Sequence, residues 1–312
     1  MLDPQLDAIL AQARAQGLPD FADLPPLACR GLYRTILAAA DVAPADVIVQ
    51  DRRITAAATS LALRLYTPRT EGPHAVVVYY HGGGYMLGDL DGYDNVCRQL
   101  CHDSGAIVVA VDYRLAPEHP FPAAVDDCWA ALLWVAKHAP GFGADPQRLA
   151  LAGDSAGAVL ATVMTLLARD AQGPRIRFQA LLYPPAAGGH DGDYPSRALY
   201  AAGPTLTQRT MDYFSRHTFG AAGKAPDFRG APLLAESLAG LPPALLMVAG
   251  FDALRDEALA YGEALRAAGN AVTTLEYAGL AHGFISMAGR VAAARQAQQA
   301  LAGALSAALA VQ

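Results

Sequence analysis

From residue 74 onward the chain alternates short apolar runs with longer helical patterns, and no other feature restricts its fold so strongly. HAVVVYYH, AIVVAVDY, RLALAG, FQALLYP, ALLMVAG and AVTTLEY have strand length and are rich in Val, Leu and Ala. Between them, YDNVCRQLCHDS, PAAVDDCWAALLWVAKH, a segment from Ser155 to about Arg169 and another from about Arg255 to Ala268 carry helical spacing. Strands covered on both faces need no polar alternation, and parallel neighbours need a crossover, so this texture specifies a mostly parallel sheet flanked by helices. Upstream, DVIVQDRRITAAATSLALRLYTP reads as an antiparallel strand pair. Residues 1 to about 42 read as short helices broken at Pro19, Pro25 and Pro26, and the Ala-rich stretch from about Arg290 as a closing packing helix.

At 312 residues the chain is long enough for one full α/β core with something added. The addition is expected in two pieces, residues 1–42 and an insertion at about 185–222, within the Gly-, Pro- and Tyr-rich connection between FQALLYP and ALLMVAG. One helix is expected there, around PTLTQRTMDYFSRHTF. A connection that long is usually functional, and ligands of open α/β sheets bind at the strand C-termini, so both pieces read as a cap over that edge of a catalytic domain at 43–312. A net charge of −6 argues against a nucleic-acid partner. The chain is 53% hydrophobic, yet Gly, His, Pro or charge breaks every apolar run, so no membrane span is expected. The start, MLDPQLDAILAQARAQG, lacks the basic and apolar regions of a signal peptide, which makes the cytoplasm the expected location. Cys29, Cys97, Cys101 and Cys128 read as free thiols of a reducing compartment, and His102 beside Cys101 lacks the further ligands a zinc site needs.

The chemistry concentrates at strand ends. RLALAG runs into Gly153-Asp154-Ser155-Ala156-Gly157 and then a helix, the strand–turn–helix setting in which a G-x-S-x-G serine is exposed on a tight turn. Gly153 and Gly157 are required there because side chains two residues either side of the serine would clash where strand and helix crowd together. His81-Gly82-Gly83-Gly84-Tyr85 follows another strand, and its glycines allow backbone N–H groups to approach a ligand closely. The N–H groups of Gly83, Gly84 and Ala156 are therefore the candidate oxyanion hole. Gly82 belongs to the same loop, and His81 is expected to orient it through a hydrogen bond. A serine nucleophile needs a base. The order Ser, Asp or Glu, His that accompanies this motif leaves His190, His217 and His282 as candidates. The first two fall in the expected cap, whereas His282 follows AVTTLEY by a short loop. Asp252, just after ALLMVAG, is the candidate orienting carboxylate. Asp256 is its competitor, but it falls in a helix's first turn, where a carboxylate suits the dipole.

With HGGGY and GDSAG, the chain carries DYRLAPEHPFPAAVDD (Asp112 to Asp127), DALRDE from Asp252 and HGF from His282, in that order. In these blocks it resembles the bacterial hormone-sensitive-lipase-like branch of the α/β-hydrolases, strongly from about His74 to Ser286 and weakly over the first forty residues. The resemblance implies an α/β-hydrolase fold with a helical cap, and a cytosolic-type carboxylesterase acting on short to medium acyl esters without metal or cofactor. The chain departs from the family pattern at Ala253 and Ala258, where Pro and Gly are frequent. Arg114 and Glu118 read as structural charges holding the Pro117–Pro122 loop. Tyr85, Leu87, Leu206 and Phe214 are candidate pocket walls, with ordinary packing as the alternative. The expected partner is a small-molecule ester, and a homodimer is left open. Competing readings are an arylformamidase or amidase using the same groups, and a non-catalytic ligand receptor on this scaffold. Receptor relatives replace the histidine found here at His282.

Overall fold

In a computed structural model, which describes residues 1–56 and 59–311, the alternating segments become one eight-stranded sheet. Its strands are β1 (Ile48–Ala56), β2 (Thr59–Thr67), β3 (His74–Tyr80), β4 (Ile107–Asp112), β5 (Ala144–Asp154), β6 (Phe178–Leu182), β7 (Ala244–Phe251) and β8 (Val272–Ala281). They lie in the order β1-β2-β4-β3-β5-β6-β7-β8. β2 pairs antiparallel with β1 and β4, and β3 to β8 are mutually parallel. The helices are α1 (Pro4–Ala15), α2 (Pro26–Ala39), α3 (Asp94–Ser104), α4 (Ala123–His138), α5 (Ala156–Asp170), α6 (Pro195–Leu199), α7 (Gln208–Phe219), α8 (Arg255–Ala267) and α9 (Ala292–Ala308).

The two faces of the sheet explain the unbroken apolar runs. All seven residues of β3 are buried, with Val76, Val78 and Tyr80 on the face covered by α4, α5 and α8. Ala75, Val77 and Tyr79 point to the face covered by α3 and α9. Period-2 alternation is present, but both sides are apolar because helices cover both. Edge strand β8 is only half-buried along Val272–Gly279, and there the run turns polar.

Two differences from the sequence reading bear on function. β8 extends past AVTTLEY to Ala281, with a register irregularity where Gly250 is passed on β7. His282 is thus set directly by a strand end rather than by a loop. The connection between β6 and β7 also holds α6 and a short 3₁₀ turn at Pro232–Leu234 besides α7. Elements of three to five residues are too short for helical periodicity to register.

Candidate active site

β5 ends at Asp154, and Ser155 then adopts φ 53° and ψ −122°, a left-handed-side conformation that costs a residue with a Cβ energy. The turn is held because the Ser155 N–H donates to the Leu182 carbonyl at the end of β6 (2.8 Å) while its own carbonyl starts α5. A Cβ on Gly157 would sit 1.9 Å from the Tyr80 carbonyl oxygen, and one on Gly153 2.3 Å from the Gly157 carbonyl oxygen. The glycines flanking the serine are therefore demanded by backbone contact with β3 and with the start of α5.

Three strand ends bring the reactive side chains together. Asp252 follows β7, is 2% exposed, and fixes one carboxylate oxygen by accepting the Leu254 N–H (2.9 Å). Its other oxygen accepts from His282 Nδ1 at 2.7 Å. That bond commits the Nδ1 proton, so Nε2 is left as acceptor, and the Ser155 hydroxyl donates to it at 2.8 Å. Tyr183 packs its ring 4.7 Å from the imidazole, and Thr205 Oγ1 donates to the His282 carbonyl (2.9 Å), which ties the insertion to the histidine. Of the competing histidines, His190 is bonded to the Ala225 carbonyl and His217 packs on Tyr213, whereas Ser155 bonds His282. Asp256 accepts the Ser196 N–H (2.7 Å) and pairs with Arg255, so it anchors α6 rather than reaching the imidazole.

The glycine loop lies beside this line. Gly83 and Gly84 have φ of +115° and +61°, values open to glycine. Among the described residues the N–H groups of Gly83, Gly84 and Ala156 donate to no protein acceptor. Ala156 opens α5, so its free N–H also lies at the positive end of a helix. His81 is 3% exposed; its Nδ1–H donates to the Gly82 carbonyl (2.7 Å), and its ring stacks on Tyr113 at 4.3 Å. Burial pulls its pKa down to about 4, which keeps it neutral. Arg114 pairs with buried Asp127, and Arg30 with Glu118, whose carboxyl that guanidinium holds down at about 2. The charges of the DYRLAPEHP block thus hold a loop.

Of the proposed wall residues, Phe214 stands over Gly84, where a Cβ would come within 2.2 Å of its ring. Leu206 is half-buried, on the stretch joined to the histidine through Thr205. Tyr85 lies edge-on to Phe219 in the core, and Leu87, 1% exposed, is enclosed with Cys29, Met86 and Ala116.

Sequence reasoning missed the groups that brace the site. Asp154, 2% exposed, accepts from Tyr79 Oη (2.9 Å), Tyr93 Oη (3.1 Å) and the Gly82 N–H (2.9 Å). Burial pushes its carboxyl up to about 6 against those donors. Glu257, 1% exposed, pairs with Arg197 of α6 and accepts the Ala187 N–H (3.2 Å). The departures at Ala253 and Ala258 remove nothing: the Ala253 carbonyl accepts from Ser196 Oγ (2.9 Å), and Ala258 is fully buried. The Asp of GDSAG was the one available signal for this bracing, since a charge between strand and helix needs partners.

A mostly parallel sheet carrying a strained serine, an imidazole and a carboxylate on three strand ends along one edge defines a class, the nucleophile-elbow hydrolases. The sequence profile of the alpha/beta hydrolase fold family matches residues 77–286. Carboxylic ester hydrolase LipN of Mycobacterium tuberculosis is 44% identical over 293 residues, 92% of this chain and 77% of that protein. Esterase LipI of the same organism is 46% identical over 256 residues, 81% of this chain and 79% of that protein. Among solved structures, a hyperthermophilic esterase from Pyrobaculum calidifontis superposes with a TM-score of 0.93 at 37% identity, covering 99% of both chains. The chain belongs to the α/β-hydrolase family, in its hormone-sensitive-lipase-like branch.

Proposed function

We propose that this α/β-hydrolase is a serine carboxylesterase for short- to medium-chain acyl esters, with Ser155 as nucleophile, His282 as general base and Asp252 as its orienting acid. The observation that carries the reading is the unbroken line from Asp252 through His282 to Ser155, at 2.7 and 2.8 Å, beside three backbone N–H groups without a protein acceptor among the described residues. The names of its relatives agree. Ser155 Oγ attacks the ester carbonyl carbon while His282 Nε2 takes the hydroxyl proton. The resulting oxyanion accepts from the N–H groups of Gly83, Gly84 and Ala156. Collapse expels the alkoxide, which leaves as alcohol with the proton from His282. Water then attacks the acyl-serine under the same base, releasing the acid and restoring Ser155.

Residues 43–312 are the catalytic unit in this reading, and residues 1–42 with the insertion at about 185–222 form the cap. The two pieces are stitched together: Thr207 and Thr210 donate to Asp20, Tyr213 Oη to the Leu24 carbonyl, and Phe21 packs on Phe214. Within the first piece α2 supplies the roof. α1 is the anchor, with Leu6 and Leu10 in the core and the Asp3 N–H on the Gly279 carbonyl. Phe214 and Leu206 are the nearer walls, while Tyr85 and Leu87 support them from beneath. The four cysteines are free and buried, which suits a reducing cytoplasm.

A panel of aryl esters of graded acyl length, run beside an aryl formamide and an emulsified long-chain triglyceride, tests the reading. The expected profile peaks between about four and eight acyl carbons, as a pocket of ordinary ligand size allows. A preference for the formamide or for the emulsion would replace it.

A further inference from the structure

The Asp154 carboxylate stands one residue before the nucleophile. One of its oxygens holds the Gly82 N–H (2.9 Å) and Tyr79 Oη (2.9 Å), and the other holds Tyr93 Oη (3.1 Å). The Tyr93 hydroxyl has a single proton and spends it on the carboxylate. The Tyr33 hydroxyl, 2.8 Å from it, must therefore be the donor in that contact. Tyr33 belongs to α2, so a chain of directed hydrogen bonds runs from the roof through Tyr93 and Asp154 to the backbone that precedes Gly83.

Both ends of this chain are fixed. α2 is held to the glycine loop and its neighbour by Arg30, which donates to the carbonyls of Met86 (2.9 Å) and Ala116 (3.0 Å) and pairs with Glu118. Arg34 pairs with Asp89. The Tyr33 ring is set edge-on to Phe21 at 6.1 Å. At the other end there is no slack, since a Cβ on Gly82 would fall 2.4 Å from the Asp154 carboxylate.

We propose that Tyr33 is a positioning residue for ester hydrolysis: its hydroxyl, acting through Tyr93 and Asp154, fixes Gly82 and so aims the Gly83 and Gly84 N–H groups. The cap then contributes to the chemical step as well as to substrate selection. The proposal rests on reading those N–H groups as the oxyanion hole. Donors that stabilise a transition state must be placed before the charge develops, so loosening them lowers turnover more than ground-state binding.

The test uses Tyr33→Phe, Tyr93→Phe and the double variant in the full-length protein, with kcat and KM for an aryl ester and Ki for an aryl trifluoromethyl ketone, which forms a tetrahedral adduct on serine. Tyr33→Phe keeps the ring and removes the hydrogen bond. The expected result is a fall in kcat of about three- to tenfold, as for one lost hydrogen bond, with KM little changed and the ketone weakened by the same factor. The double variant should be no worse than Tyr93→Phe alone, because Tyr33 acts only through Tyr93. A loss confined to KM, an unchanged ketone Ki, or additive losses would overturn the proposal. If Tyr93→Phe does not fold, Tyr33→Phe with the ketone still decides. Ester turnover surviving Ser155→Ala would instead sink the esterase mechanism itself, whereas dependence on Ser155 with Tyr33→Phe indifferent would sink the relay alone.

Discussion

The strand-end frame and the proposed cap are built by different means. In the frame, Ser155, Asp252 and His282 each sit at or just past a strand terminus, and their positions follow from sheet register and from glycines pressed against backbone. Above it, the proposed cap is joined to itself and to the site by side chains far apart in sequence: Thr207 on Asp20 links its two pieces, and Phe214 over Gly84 and Tyr33 on Tyr93 reach the site. Backbone contacts in a packed interior cannot yield, whereas side chains can repack. In the proposed reading, one scaffold can therefore hold the chemistry constant while the cap tunes the choice of ester.

The largest expected effect separates two carboxylates four residues apart. Asp252→Asn should reduce turnover by about 10⁴, since the amide favours the wrong imidazole tautomer. Asp256→Asn, which only loosens α6, should cost less than about tenfold. Steady-state kinetics on one aryl ester decides, and a reversed ranking would move the acid into the helix.

Glycine replacement sharpens the contrast. Gly157→Ala puts a Cβ 1.9 Å from the Tyr80 carbonyl oxygen, and Gly84→Ala puts one 2.2 Å from the Phe214 ring at φ +61°. The first clash cannot relax and should cost about 4 kcal/mol or more in denaturant unfolding. The second can push Phe214 aside, leaving mainly backbone strain of about 1–3 kcal/mol. Equal losses would mean the roof is as rigid as the frame.

A pH effect of on the order of 3 kcal/mol is expected from His81. Its folded pKa of about 4 lies below the ordinary histidine value, so its contribution is complete above about pH 6.5 and is lost as pH falls toward about 4. Asp154, raised to about 6, has the opposite sign: its contribution is complete below about 3.8 and is lost as pH rises through about 6. The two oppose each other across the same interval. His81→Asn leaves only the Asp154 part, so the stability gap between the parent and this variant should narrow on acidification. Thermal unfolding at stepped pH measures it, and a constant gap would contradict a buried neutral imidazole.

The smallest effect belongs to the roof. Phe214→Ala should move the acyl-length optimum upward by one or two carbons, each buried methylene being worth up to about 0.8 kcal/mol. An unchanged optimum would remove Phe214 from the pocket.

The same contrast governs what the sequence discloses. The candidates Ser155 and Asp252 are legible because each follows an apolar run of strand length, His282 because it comes soon after the strand pattern AVTTLEY, and Gly153 and Gly157 because they report a crowded turn. That Asp252 rather than Asp256 contacts His282 accords with position relative to a strand end, which separates the two in the sequence. Tyr33 and Tyr93 were not singled out because nothing in a hydrophobic pattern pairs residues sixty positions apart. Arg197 and Glu257 escaped for the same reason, and α6 because five residues carry no period. His282 at a strand end rather than after a loop followed from a register irregularity that polarity along β8 does not reveal.

Ester hydrolysis by this chain requires Ser155 to be the activated nucleophile, and covalent trapping addresses that directly. The protein is treated with an aryl organophosphonate, digested, and the adduct located by mass spectrometry, in the parent and in His282→Ala. A single adduct on Ser155, formed rapidly in the parent and far more slowly without His282, is the predicted result. An adduct on another serine such as Ser104 or Ser196, or labelling of Ser155 at the same rate in both proteins, would contradict it.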